Sequence, residues 1–198
     1  YAYGAPGYVP REGKREITEK YKDCHVEVEL ELTEVDRFKA NYSMHIDDKV
    51  KTQIKRKEQG NALFKEGHFE AALKRYDESI EYAAWASEVT MKKIPFHEQH
   101  AIRDEVDKHK CAAHVNQAVC HLRLGDASKA IEMSGKALEV DKRSMKAHYR
   151  RGLAYMAMGD LVKAKDDLVS AARRAPDSRE IREALDQVKK MEQEVRAR

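Results

Sequence analysis

Small and apolar residues return at fixed places along the middle of this chain, and three glycines mark the beat. Each glycine has a similar setting: Glu66-Gly67-His-Phe-Glu-Ala-Ala, Leu124-Gly125-Asp-Ala-Ser-Lys-Ala and Met158-Gly159-Asp-Leu-Val-Lys-Ala. Five positions beyond each glycine stands an alanine, Ala72, Ala130 and Ala164. Counting units from Gln53, Cys111 and Met145, the eighth place holds Gly60, Ala118 and Gly152. The twenty-fourth holds Tyr76, Ser134 and Leu168, and the twenty-seventh Ser79, Ala137 and Ala171. Such small residues let two helices of one hairpin approach closely, so the pattern predicts three helix-turn-helix units. Farther on, Ile181, Leu185, Val188 and Met191 make an apolar stripe at helical spacing, which predicts a seventh helix. Near the front, Val26-Glu-Val-Glu-Leu-Glu-Leu32 alternates with period two, the pattern of a half-buried strand.

Gly125 and Gly159 are 34 residues apart and Gly67 and Gly125 are 58 apart. The shorter distance is the period of the tetratricopeptide (TPR) repeat, which the three units resemble. The longer one places an insertion in the first unit, roughly Tyr82 to Lys110. Repeats are thus expected within 47–176, as units 53–110 (with the insertion), 111–144 and 145–178, with Pro176 closing the third. A hairpin of this kind cannot bury its apolar face alone, so the units should stack into a curved solenoid. The seventh helix, 177–198, should cap its exposed end, with Asp177 as N-cap and Glu180 completing a capping-box-like pair. The fold class expected is all-α, a TPR superhelix of three repeats plus a capping helix, preceded by one β-strand.

Two pairs of polar residues, Lys57 with Asn61 and Lys146 with Arg150, are spaced i,i+4, so each projects from one helix face. Asn116 joins them from the second unit. The register assigns all five to first helices, the ones that line the concave side of such a solenoid. They would form a cluster of cations and amides with no acid among them, suited to an anion and above all to a peptide's C-terminal carboxylate. Phe64, Val119 and Leu122 fall on the same faces as a candidate apolar pocket, and Arg123 as a cation for an acid farther upstream.

Composition narrows the alternatives. Charged residues make up 37% of the 198 residues, yet the net charge is only +3. No basic run or aromatic-glycine stacking motif indicates nucleic-acid binding. The expected seventh helix is itself balanced in charge, unlike a basic membrane-surface helix. No stretch approaches the roughly 18 apolar residues of a membrane span, and no signal peptide opens the chain. The three cysteines, Cys24, Cys111 and Cys120, are unclustered and fit a reducing cytosol. His97, His100, His109, Cys111 and His114 suggest zinc by type, but their spacing scatters them around one helix, so no metal is expected. No cofactor is expected either, since no Gly-rich phosphate loop is present, and Ser134 and His148 have no catalytic partners by sequence. Trp85 extends the second helix with apolar spacing and reads as packing. The chain opens at Tyr1 inside what reads as loop, so a fragment of a longer protein is expected.

Residues 1–52 lie outside the repeat register. Tyr3-Gly4, a proline-containing loop and Val26-Glu-Val-Glu-Leu30 resemble the end of an FK506-binding-protein (FKBP) domain. Tyr42-Ser-Met44 through Asp48-Lys-Val50 to Lys57-Glu-Gln-Gly-Asn61 resembles the linker and first TPR helix of the large FKBP-type immunophilins. The resemblance implies a C-terminal remnant of an FKBP-like domain at 1–32, a linker at 33–46 and then the repeats. It departs from the family in a longer, more charged loop from Arg11 to Lys22 and in Val26, where the family often has a pocket aromatic. Without the upstream pocket this chain would not catalyse prolyl isomerisation itself, and the parent would be an active or a degenerate isomerase.

The same resemblance implies a dicarboxylate clamp for the terminal Glu-Glu-Val-Asp of cytosolic heat-shock chaperones. Lys57, Asn61 and Asn116 would take one carboxylate, and Lys146 with Arg150 the other. The implied role is that of a co-chaperone in protein folding, cytoplasmic and also compatible with the nucleus, with the 90-kDa chaperone class favoured over the 70-kDa class. In the alternative, the parent's important activity is prolyl isomerisation and the repeats only anchor it.

Overall fold

The computed structural model describes residues 44–88 and 94–197, and for 85–88 the backbone alone. The expected strand, the remnant at 1–32, all but the end of the 33–46 linker, Cys24 and the Trp85 side chain lie outside what it describes. The described residues form helices α1 (Ile46–Lys65), α2 (Phe69–Glu88), α3 (Phe96–Arg123), α4 (Ala127–Val140), α5 (Met145–Ala157), α6 (Leu161–Ala172) and α7 (Arg179–Arg196), with no strand among them. Helices α1 and α2, α3 and α4, and α5 and α6 pack as hairpins. Consecutive hairpins stack, and α7 lies on α6 and α5. This is the all-α TPR arrangement expected.

Each hairpin turns by the same device. Gly67, Gly125 and Gly159 have φ of 85°, 78° and 79°, a left-handed conformation in which a side chain would be strained. The N–H of the following residue then reaches back to a carbonyl of the last helical turn: His68 to Leu63 at 2.9 Å, Asp126 to His121 at 2.9 Å and Asp160 to Tyr155 at 3.0 Å. These are the bonds of a Schellman C-cap. In the second and third hairpins the same aspartate also starts the next helix. Asp126 accepts from the Lys129 N–H at 3.0 Å and Asp160 from the Lys163 N–H at 3.2 Å. A Gly-Asp pair therefore both ends one helix and caps the next.

Inside the hairpins, residue sizes are matched across the helix crossing. A Cβ added to Gly60 would lie 2.6 Å from Tyr76 Cε1, and one added to Gly152 would lie 2.8 Å from Leu168 Cγ. Where the middle unit has Ala118 at that place, position twenty-four holds the smaller Ser134. Ala72, Ala130, Ala164, Ser79, Ala137 and Ala171 are all fully buried, so small residues sit where the register requires them.

The insertion is helical up to Glu88 and again from Phe96 on. It carries α2 on to Glu88 and starts α3 early, so that α3 has 28 residues where α5 has 13. The extensions are not idle surface. Val106 of α3 joins Ile46 and Val50 of α1 and Ala83 of α2 in a separate apolar cluster. Buried polar ties brace it: Gln53 Nε2 donates to the Val106 carbonyl at 3.0 Å, and Ser79 Oγ to the Gln53 carbonyl at 2.8 Å.

At the other end, Ala184 and Val188 of α7 close over Ala164 and Leu168 of α6, and Ile181 is buried as well. Burying a side chain such as Val188 stabilises by about 1.5–3 kcal/mol. The start of α7 corrects the expected cap. Ser178, not Asp177, holds the N-cap position, and no side chain caps the helix. Its N–H is turned back to the Ala175 carbonyl at 3.2 Å, and Asp177 instead offers its carbonyl to Arg182 Nη2 at 2.9 Å. The turn after Pro176 thus uses Asp177 one residue too early for capping. None of the described helices is long and apolar enough to cross a membrane.

Packing at the glycines sets the sign of their substitutions. Gly60→Ala should destabilise the fold by about 1–3 kcal/mol through overpacking against Tyr76. Gly135→Ala, on α4 with open space around it, should stabilise by about 0.5–1 kcal/mol. Urea denaturation of the two variants measures both. A pH dependence is expected from His114, which is buried, with Nδ1 donating to Gln117 Oε1 at 3.0 Å while Gln117 Nε2 donates to Asp77 Oδ1 at 2.6 Å. Burial holds this imidazole below the usual histidine range, with the Gln117 bond opposing. The unfolded chain therefore takes the proton first as pH falls below about 6.5, and stability should drop on acidification. Thermal melts between about pH 7 and 5.5 check this, with a shallower slope expected for His114→Gln.

Candidate functional site

Helices α1, α3 and α5, the first of each hairpin, lie next to one another, and the candidate residues come together along them. Asn61, Asn116 and Arg150 line one cavity of about 360 Å³, with Phe64, Lys65, Tyr76 and Val119 completing its wall. An adjoining cavity of about 220 Å³ shares Asn116, Val119 and Arg150 and adds Lys146, Tyr149 and Glu180. Lys57 sits one turn before Asn61 on α1. Of the nine residues singled out in the sequence, six line these two cavities: Asn61, Asn116, Lys146, Arg150, Phe64 and Val119, while Lys57 lines neither. Leu122 and Arg123, at the end of α3, line neither cavity; Leu122 is half-buried and Arg123 exposed.

The two asparagines are not independent. Asn61 Oδ1 accepts from Tyr76 Oη at 2.9 Å and from Asn116 Nδ2 at 2.8 Å. With both lone pairs of that oxygen engaged, what Asn61 has left to offer a ligand is its N–H pair, and Asn116 keeps one N–H. The acceptor function is turned inward and the donors remain. Burial raises the Tyr76 phenol well above the usual tyrosine range, so it stays a neutral donor. Tyr76 was legible only as a packing residue, and its hydroxyl, at a place where the other units carry Ser134 and Leu168, was the signal for more.

The cations differ in their settings. Lys57 is half-buried, and its Nζ lies 2.8 Å from His109 Nδ1 on the extended part of α3. Burial holds this ammonium below the usual lysine range; Glu58 opposes the shift and Lys108 adds to it. Arg150 stacks on the ring of its neighbour Tyr149, with 5.0 Å from guanidinium carbon to ring centroid, which steadies the planar fork. Behind it, Arg151 clasps the buried Asp167 through Nε at 2.7 Å and Nη2 at 2.8 Å, and His148 Nδ1 meets the same carboxylate at 2.9 Å. These bonds fix α5 on α6 and so fix the direction in which Lys146 and Arg150 project.

Such a face offers amide and cationic donors over apolar walls, which suits a carboxylate followed by an aliphatic side chain. The buried thiols take no part. Burial pushes Cys120 up to about 11 and Cys111 up as well, and both are free. His109 and His114 face Lys57 and Gln117 rather than one another. Among the described residues no cluster of three or more potential metal-ligating side chains occurs.

Comparison with known proteins agrees with this architecture. A family model described as tetratricopeptide repeat matches residues 146–178. The rat (Rattus norvegicus) peptidyl-prolyl cis-trans isomerase FKBP4 is 32% identical over 142 residues, covering 70% of this chain and 27% of the relative. The chain thus spans about a quarter of the length of the curated relatives it matches. Among solved structures, the C-terminal TPR-containing domain of a Plasmodium falciparum putative FK506-binding protein superposes with a TM-score of 0.65 at 26% identity, over 80% of this chain and 100% of that one. The first TPR domain of Spaghetti (RPAP3), solved bound to the HSP90 peptide SRMEEVD, shares the fold at 21% identity and a TM-score of 0.56, over 71% of this chain and 93% of that one.

The Tyr76 hydroxyl should matter to the site's framework. Tyr76→Phe is expected to cost about 1 kcal/mol of stability by leaving Asn61 Oδ1 with one donor fewer, measurable by chemical denaturation. An unchanged midpoint would count against the bond.

Proposed function

Taking the described helices as a tetratricopeptide domain homologous to the C-terminal region of FKBP4, we propose that its groove grips the C-terminal Glu-Glu-Val-Asp tail of heat-shock chaperones through a dicarboxylate clamp. The observation that carries this is the Asn61–Asn116 pair. Its shared oxygen is satisfied from within, and both residues line the same cavity as Arg150. A terminal aspartate carries two carboxylates in one compact dianion. Lys57, Asn61 and Asn116 take one of them, Lys146 and Arg150 the other, and the Arg150 fork is suited to two parallel bonds. Amides are as necessary as cations here, because they donate without adding charge repulsion. Phe64 and Val119 receive the valine; Leu122 and Arg123 serve more distal contacts.

Hydrogen bonds to charged groups contribute about 1.5–3 kcal/mol each, but ordering a flexible tail costs several kcal/mol. The balance points to micromolar binding, about −7 to −8 kcal/mol. The peptide held by the Spaghetti domain ends in Glu-Glu-Val-Asp as well, which supports the ligand class. The co-chaperone role in the cytoplasm or nucleus, with the 90-kDa chaperones ahead of the 70-kDa class, goes with this assignment. The isomerase named among the relatives favours a second reading, in which the domain anchors a prolyl isomerase carried by the rest of the parent protein.

In calorimetric titrations with a Met-Glu-Glu-Val-Asp peptide, Arg150→Ala should weaken binding by about tenfold or more, and amidation of the peptide's C-terminus should do the same. Equal affinity for free and amidated peptides would overturn the proposal.

A further inference from the structure

The insertion in the first repeat reaches the clamp. Without it, α3 would start near Cys111, and no residue would stand where His109 does. With it, His109 Nδ1 lies 2.8 Å from Lys57 Nζ. An ammonium only donates, so Nδ1 is the acceptor and the imidazole is neutral, with its proton on Nε2. We propose that His109 is a sixth member of the clamp, a positioning residue that holds Lys57 until a ligand binds and takes up a proton when a carboxylate arrives, so that binding tightens as pH falls from about 7 to 6. This rests on the clamp assignment above.

The physical basis is the exchange of Lys57's partner. With Lys57 as its partner, a protonated His109 would lose its bond from Lys57 and face the ammonium at contact distance. Among the charged groups around it, Lys57 and Glu58 come from α1, and Glu105 and Lys108 from its own helix. Lys57 and Lys108 disfavour the imidazolium, while Glu105 and Glu58 favour it. Burial, the largest effect, and the touching Lys57 then decide, and both hold His109 below the usual histidine range. A ligand carboxylate bound to Lys57 changes this. It draws the ammonium away from Nδ1, offsets its charge and places an anion within reach of the ring, all of which favour imidazolium. A ligand that raises the affinity for a proton is itself bound more tightly when the proton is available, because the coupling is reciprocal. The bound terminus then sees one cation more than the five residues supply.

The test uses the whole chain and an N-acetylated Met-Glu-Glu-Val-Asp peptide, whose carboxylates stay ionised over the range. Calorimetry at about pH 6.0, 6.5 and 7.5, in two buffers of different ionisation enthalpy, reads affinity and proton uptake together. The wild type should bind about two- to fourfold more tightly at the lowest pH than at the highest, with protons taken up as the peptide binds. His109→Gln keeps an acceptor for Lys57 but does not ionise. It should bind with flat pH dependence and no linked protons. The inference is overturned if the variant keeps the wild type's pH slope and proton uptake, which would move the linked group to another histidine such as His114 or His121. It is equally overturned if the wild type shows no slope. The amidated peptide in parallel separates this from the clamp itself. Preference for the free acid with no His109-dependent slope removes only the present inference, whereas equal binding of both peptides removes the clamp and with it this role for His109.

Discussion

The carboxamide of Asn61 is where fold and site meet. Its oxygen takes one hydrogen bond from Tyr76 on α2 and one from Asn116 on α3, so three helices of two repeats converge on a single acceptor. That convergence requires α1 and α2 to cross closely, which they do because Gly60 leaves room for the Tyr76 ring. A side chain at Gly60 would push the ring, and the ring carries the hydroxyl that orients Asn61. The small-residue register of the repeat therefore also sets the hydrogen bonds that orient the Asn61 carboxamide. Both amides are half-buried, the shared oxygen is satisfied within the protein, and the remaining N–H groups are those we propose for the ligand.

The third repeat reaches the same end by electrostatics. Arg151 and His148 on α5 are committed to the buried Asp167 of α6, and a buried carboxylate of this kind tolerates no loss of partner. With that face of α5 pinned inward, Lys146 and Arg150 are left for the groove. Capping α7 over α6 then keeps the third hairpin from being an exposed end, and Glu180 and Ser178 at its start border the cavity beside Lys146.

Much of this architecture is legible in the residues themselves. Three glycines in step, alanines five places on and the Gly/Ala–large alternation are features of backbone geometry and close packing, which the local sequence specifies directly. The five polar positions are legible because helical register converts spacing into a face. Other features depend on tertiary contacts that no spacing reveals. Tyr76 reads as core, yet donates to the site. The insertion reads as an interruption, yet its residues lengthen α2 and α3 and carry His109 to Lys57. At the start of α7, a favourable capping residue at Asp177 loses to the turn that Pro176 sets up, so the helix begins one residue later and uncapped. Local preference is right about the kind of element in each case and silent about its neighbours.

The central claim is that the amide donors of Asn61 and Asn116 face a ligand's terminal carboxylate. The most direct measurement is an NMR titration following the side-chain amide resonances of those two residues as a Met-Glu-Glu-Val-Asp peptide is added. The account predicts that both move with saturation matching the calorimetric affinity, in the direction of a stronger hydrogen bond to an anion, and that they stay in place with the C-terminally amidated peptide. Binding of the free peptide with both side-chain amides unmoved would contradict it.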